Sequence, residues 1–165
     1  MATVDHVLYP ENAAPVGTVF PDYRIPQGTN FPVTGLYYLN GVNQRAAWKF
    51  PAIKYGSGNL TLKIEWYAPT ITTGTVLFTS QIAAITPNVD AQDIETKALA
   101  AANTAPDTNL GAPAKRAHTV SITITNLDGL TANDQVYIVL ERTGSDNTLG
   151  EAIAITQCTV SYSDV

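Results

Sequence analysis

Leu60, Leu62, Ile64 and Trp66 occupy alternate positions of the stretch 59–67, with Thr61, Lys63, Glu65 and Tyr67 between them. Side chains of an extended chain point to opposite faces in turn, so this spacing predicts a half-buried β-strand. Gly56-Ser57-Gly58 precedes it and Pro69 follows, residues that favour turns or cannot donate to a sheet ladder. The same alternation predicts strands over 117–126, with Val120, Ile122 and Ile124 inward, and over 134–142, through Val136, Ile138 and Leu140. Shorter runs at 36–39, before an Asn40-Gly41 turn signal, and at 46–50, ended by Pro51, predict two more. The run 75–86 is long enough to carry a bend or bulge. Over 151–162, Ile153 and Ile155 are out of phase with Cys158, Val160 and Tyr162, the change that one extra residue in a strand produces.

The alanine-rich run 97–103 favours helix by propensity alone. Its β-rich surroundings favour a strand instead, closed by Asn103-Thr104 and Pro106. Loops are expected at 88–96 and 145–147, and Leu127 and Leu130 are placed to plug the end of a core. About eight strands at intervals of roughly 8–20 residues, without a convincing helix, predict two antiparallel sheets packed face to face. The fold class is therefore all-β: an antiparallel β-sandwich, jelly roll or related Greek key, over residues 34–165.

Residues 1–33 follow another pattern. Pro10, Pro15, Pro21, Pro26 and Pro32 recur at five- or six-residue intervals, and each fixes its backbone and removes a donor, which forbids a helix or an interior strand. Between them lie Val7, Leu8, Tyr9, Val19, Phe20, Tyr23, Ile25 and Phe31. A disordered tail has few aromatics. The segment reads as an extended N-terminal arm, laid either along its own domain or on a neighbouring subunit.

Charged residues make up 14% of the 165-residue chain, against roughly 25% in an average domain. Uncharged Thr, Asn and Ser must then cover the outside, as in β-rich proteins that work outside a cell or within a large assembly. The net charge of −5 argues against nucleic acid, which needs clustered Lys and Arg. A single cysteine, Cys158, excludes an intramolecular disulfide and a cysteine zinc site. The first residues show no basic start followed by an apolar run, so no secretory signal is expected. No run approaches the roughly 18 apolar residues of a membrane helix.

Candidate chemistry is sparse. His6 and His118 have no partner within a recognisable motif and read as surface or interface residues. Asp90, Asp93 and Glu95 lack the glycine and spacing of a calcium loop. Glu65 and Glu141 fall on outer strand faces, and Cys158 on an inward one. No enzyme and no cofactor are expected. Tyr37, Tyr38, Tyr55, Tyr67 and Tyr137 flank or alternate along strands, either as sugar-stacking platforms or as ordinary packing and interface residues. Apolar residues on both faces at 82–85, 136–140 and 153–155 favour burial of a further surface against copies of the chain.

Several phrases, taken in order, resemble a β-sandwich module of tailed-bacteriophage virion proteins. They are Tyr55-Gly-Ser-Gly-Asn-Leu-Thr-Leu, Glu65-Trp-Tyr-Ala, Ile82-Ala-Ala-Ile-Thr-Pro, Asp93-Ile-Glu-Thr-Lys-Ala, Ala101-Ala-Asn-Thr, Ala117-His118, Ser121-Ile-Thr-Ile-Thr-Asn-Leu-Asp and Val160-Ser-Tyr-Ser-Asp. Gly111-Ala-Pro-Ala-Lys-Arg departs from a more glycine- and threonine-rich loop in such modules. The resemblance implies a structural virion protein, made in the host cytoplasm. It fits a capsid decoration (cement) protein best: a homotrimer on the outer capsid surface that bridges copies of the major capsid protein. Tyr9, Pro10, Phe20, Tyr23 and Phe31 of the arm would then be partner contacts. The alternatives are a tail or fibre-tip module that binds host-surface glycans, and a minor tail structural protein.

Overall fold

The computed structural model describes residues 2–144 and 147–164. The loop predicted at 145–147 therefore falls partly on Ser145 and Asp146, outside the described residues. Among the described residues there are eleven strands: β1 (Thr3–Leu8), β2 (Ala14–Pro15), β3 (Asp22–Arg24), β4 (Gly35–Tyr38), β5 (Gln44–Pro51), β6 (Leu60–Tyr67), β7 (Thr75–Ile85), β8 (Asn103–Thr108), β9 (His118–Ile124), β10 (Gln135–Arg142) and β11 (Ile153–Ser163). One sheet has the order β3-β4-β11-β6-β9, with β1 also paired to β11, and the other β2-β5-β10-β7-β8. All pairings are antiparallel. The molecule is the expected two-sheet sandwich.

Binary pattern sets which faces meet. Leu60, Leu62, Ile64 and Trp66 of β6 are each no more than 1% exposed and face Phe78, Ile82, Ile138 and Leu140 of the opposite sheet within one apolar cluster. Trp66 meets Phe78 edge-on at a centroid distance of 5.9 Å, a geometry that suits the ring quadrupoles. Leu130 is buried and Leu127 packs against the cluster, as their turn predicted. The pairing of β11 to β6 shifts register between Ile155 and Gln157, which is the bulge predicted from the phase change. β7 pairs to β10 without a shift.

The strand predicted over 97–103 is displaced. Residues 97–102 are irregular, and β8 begins at Asn103 and runs through Pro106. Because β8 is an edge strand that pairs only with β7, a proline without an N–H is tolerated there. The alanine-rich segment runs on along the edge of β7 instead, without regular pairing. Ala100 N–H donates to the Ile82 carbonyl at 2.8 Å, and Gln81 Nε2 donates to the Ala100 carbonyl at 2.9 Å. Ile94 and Leu99 there border a shallow cleft with Ala83, Tyr137 and Val139. Part of the second apolar face is thus covered by the chain itself.

Residues 1–33 supply β1, β2 and β3, and each lies at a sheet edge, the places that prolines allow. Pro10 opens a single 3₁₀ turn and is buried. Tyr9, Phe20, Tyr23 and Phe31 keep 46%, 46%, 45% and 68% of their surface exposed.

Candidate functional site

The outer face of the β3-β4-β11-β6-β9 sheet carries a cleft of about 530 Å³, within the size range of small-ligand sites. Its floor arises from strand pairing. Ala154 of β11 lies between Tyr37 of β4 and Tyr67 of β6 in register. A methyl group leaves room for both tyrosines to lean across it, so their hydroxyls meet at 2.6 Å with the rings edge-on. Arg24 covers the Tyr37 ring at 4.9 Å and is held by Asp22 at 2.7 Å. Tyr67 stays half-buried. Burial, and then the bond to Tyr37, pushes the Tyr67 hydroxyl well above the usual phenol range, so it stays a neutral hydrogen-bonding group.

One wall is a hairpin at 26–33. Val33 N–H donates to the Pro26 carbonyl at 2.9 Å, and Gly28 N–H to the Phe31 carbonyl at 3.0 Å. A Cβ at position 28 would sit 2.5 Å from that carbonyl oxygen, so only glycine closes the turn. The hairpin puts the exposed Phe31 on the lining of the same cleft as Tyr67, together with Pro26, Gln27 and Val33. The facing wall is Pro69, Lys115 and Ala117, and Thr156 completes the floor next to the bulge. Lys115 has a left-handed φ of 66° and its N–H donates to the Ala68 carbonyl at 3.0 Å. Among the described residues no carboxylate lines the cleft. It offers an apolar ring face, hydroxyls, one amide and one amine, a set that suits ligand binding.

Behind the cleft, His118 stacks on Trp66 with centroids 4.2 Å apart. Trp66 Nε1 donates to Asp107 Oδ2 at 2.8 Å. Leu110 N–H donates to His118 Nε2 at 3.4 Å, which places the proton on Nδ1, 3.7 Å from the same Asp107 oxygen. With Nε2 accepting from Leu110 and Nδ1 facing Asp107, His118 braces the 109–117 loop. Burial lowers its pKa below 6.5, against Asp107, which raises it, and with Arg116, which lowers it further. His6 is likewise lowered by burial, against Asp5. The unfolded chain therefore takes up protons first as pH falls through 6.5, and stability declines from there downward by at most about 1.4 kcal/mol per pH unit per histidine. Urea midpoints at pH 7.5 and 5.0 should differ less for His118→Gln than for the wild type. Equal losses would contradict the brace.

The structure corrects some expectations about single residues and agrees with others. His118 is 4% exposed, not a surface residue. His6 is half-buried, shares a hydrogen bond with Tyr162 Oη at 2.9 Å and lies 5.0 Å from the Phe50 ring. Tyr37, Tyr38 and Tyr55 are buried at 7%, 0% and 6%, so they present no ring to solvent. Tyr137 is half-buried beneath Lys49. Asp90 and Asp93 accept N–H groups of Thr86 and Glu95 within their own loop. Glu65 pairs with Lys63, whereas Glu141 pairs with Arg45 in the other sheet. Cys158 is buried, and burial pushes its thiol far up. Among the arm residues singled out, Phe31 enters the cleft, whereas Pro10, Phe20 and Tyr23 line a separate groove near Leu36 and Ala46. Tyr9 receives the Trp48 Nε1 hydrogen bond on its carbonyl at 2.8 Å. Lys115, Gln27 and Thr156 were not legible as site residues, because no local pattern marks them.

No protein-family model and no curated protein matches the chain. Among solved structures, it is similar to the carbohydrate-binding module TmCBM27, studied for specific mannan recognition, with 13% identity over 99% of each chain and a TM-score of 0.51. It is also similar to part of an isomalto-dextranase of Arthrobacter globiformis T6 solved with panose, with 13% identity and a TM-score of 0.53 over 94% of this chain and 23% of that one. Neither likeness points to a virion protein in particular. At such identities the likeness is one of fold, and the chain is a β-sandwich of the jelly-roll kind.

Proposed function

We propose that this chain is a non-catalytic module that binds an oligosaccharide in the cleft between the 26–33 hairpin and the wall of Pro69 and Lys115. The observation that carries the reading is Phe31, 68% exposed, on a glycine-closed hairpin that lines one cleft with the hydroxyl-bearing Tyr67 and Thr156. The C–H face of a sugar ring is apolar and stacks on an aromatic face, while its rim of hydroxyls needs polar partners. Tyr67, Thr156 and Gln27 supply those partners. The two similar solved structures, one concerned with mannan recognition and one holding panose, support the reading. Taken with the resemblance to phage virion modules, it makes the chain a tail or fibre-tip module for host-surface glycans. A glycan array probed with the whole chain tests this: signal on a defined set of glycans, lost in Phe31→Ala, is the expected result. A blank array at high protein concentration would defeat it.

A second reading, capsid decoration by a homotrimer on the major capsid protein, draws on the exposed Phe20 and Tyr23 rings at the groove near β2 and β3. Copy number in purified virions separates the two, since hundreds of copies fit decoration alone. Removing residues 1–33 would not separate them, because it deletes three strands; Phe20→Ser with Tyr23→Ser keeps the fold and tests the groove.

A further inference from the structure

We infer that the cleft selects acidic glycans, with the Lys115 ammonium group as the residue that recognises a carboxylate or sulfate on the bound sugar. The inference rests on the glycan-binding reading above and adds the class of ligand.

Charge distribution carries it. The chain has a net charge of −5, yet the cleft is lined by one lysine and no carboxylate. Three further clefts on the described surface each contain acidic side chains: Glu11 and Asp22 in one, Asp93 and Asp128 in the second, Glu95 in the third. Most other cations are engaged or lie elsewhere: Lys49, Lys54 and Arg116 also form no ion pair among the described residues, but they do not line this cleft. Arg24, Arg45, Lys63 and Lys97 pair with Asp22, Glu141, Glu65 and Asp128. Arg142 is fully buried among carbonyl oxygens. Lys115 forms no ion pair among the described residues. Its backbone is pinned to Ala68, so the ammonium group swings from a fixed point on the cleft wall. A cation without a carboxylate partner, beside an exposed ring in an acidic protein, is complementary to an anionic sugar and indifferent to a neutral one.

The test uses matched glycans that differ in charge: oligogalacturonate against its methyl ester, sialyllactose against lactose, and chondroitin sulfate oligosaccharide against its desulfated form. They are arrayed first, and the strongest pair is then titrated calorimetrically. Wild type should favour the acidic member by about tenfold, the scale of one charge-assisted hydrogen bond. Lys115→Met should erase that preference, so that the two members of a pair bind with equal affinity. Phe31→Ala should weaken both members alike. The carboxylate and sulfate pairs show which anion is read. Binding only to neutral members, or a preference that survives Lys115→Met, would overturn the inference and leave the glycan reading standing. No binding to any member would overturn both.

Discussion

Arg142→Met is expected to destabilise the fold by about 3–5 kcal/mol, because it leaves several buried acceptors without a donor at about 1–3 kcal/mol each, not additively. Arg142 ends β10, is 0% exposed and meets no carboxylate among the described residues. Its two terminal nitrogens donate to the carbonyls of Tyr38, Glu151 and Leu149 at 3.0, 2.6 and 2.8 Å, and to Asn40 Oδ1 and Asn147 Oδ1 at 3.2 and 3.1 Å. One planar fork thereby ties the end of β4 to the approach to β11, across the two sheets. Burial lowers its pKa to about 10, which still leaves it charged at neutral pH. For a domain of this size, roughly 2–4 °C is lost per kcal/mol, so melting should fall by about 10 °C. Lysine offers one point of donation in place of a fork, so Arg142→Lys should recover only part of the loss. A loss below about 1 kcal/mol in urea titrations would show that the five contacts do not act as a brace.

The second large effect is on binding. A sugar ring resting on Phe31 covers roughly 60–80 Å² of apolar face, worth about 1.5–2 kcal/mol, or between tenfold and thirtyfold in Kd. Tyr67 presents less surface but adds a hydroxyl contact. The combined Phe31→Ala and Tyr67→Ala variant should therefore lose affinity by about a hundredfold. Phe31 is mostly exposed and Tyr67 half-buried, so thermal melting of Phe31→Ala should match the wild type. Calorimetric titration of both variants checks this, and an affinity that stays within threefold in the double variant would remove the cleft from consideration.

Particular residues show what could be read from the chain and what could not. β6, β9 and β10 were legible because one face of each is dry and the other wetter, so the alternation survives in the sequence. The β11 bulge was legible for the same reason, as a slip in that alternation. β4 gave no such signal. All four residues, Gly35 to Tyr38, are buried, because Arg24, Ala154 and Tyr67 cover its outer side, and Tyr37 and Tyr38 could not be told apart by phase. His118 looked isolated because its partners, Trp66 and Asp107, come from other strands. The cleft itself draws on residues 26–33, 37, 67, 115 and 156. Only the folded chain brings these together, and of the five tyrosines weighed from sequence as platforms or packing, Tyr37, Tyr38 and Tyr55 are buried.

The most direct measurement is an amide-resolved NMR titration of the whole chain with the strongest array glycan. Shifts concentrated at Gln27, Gly28, Phe31, Tyr67, Lys115 and Thr156 are the result this account predicts. Saturable shifts confined to the groove around Phe20 and Tyr23, with these six unmoved, would contradict it.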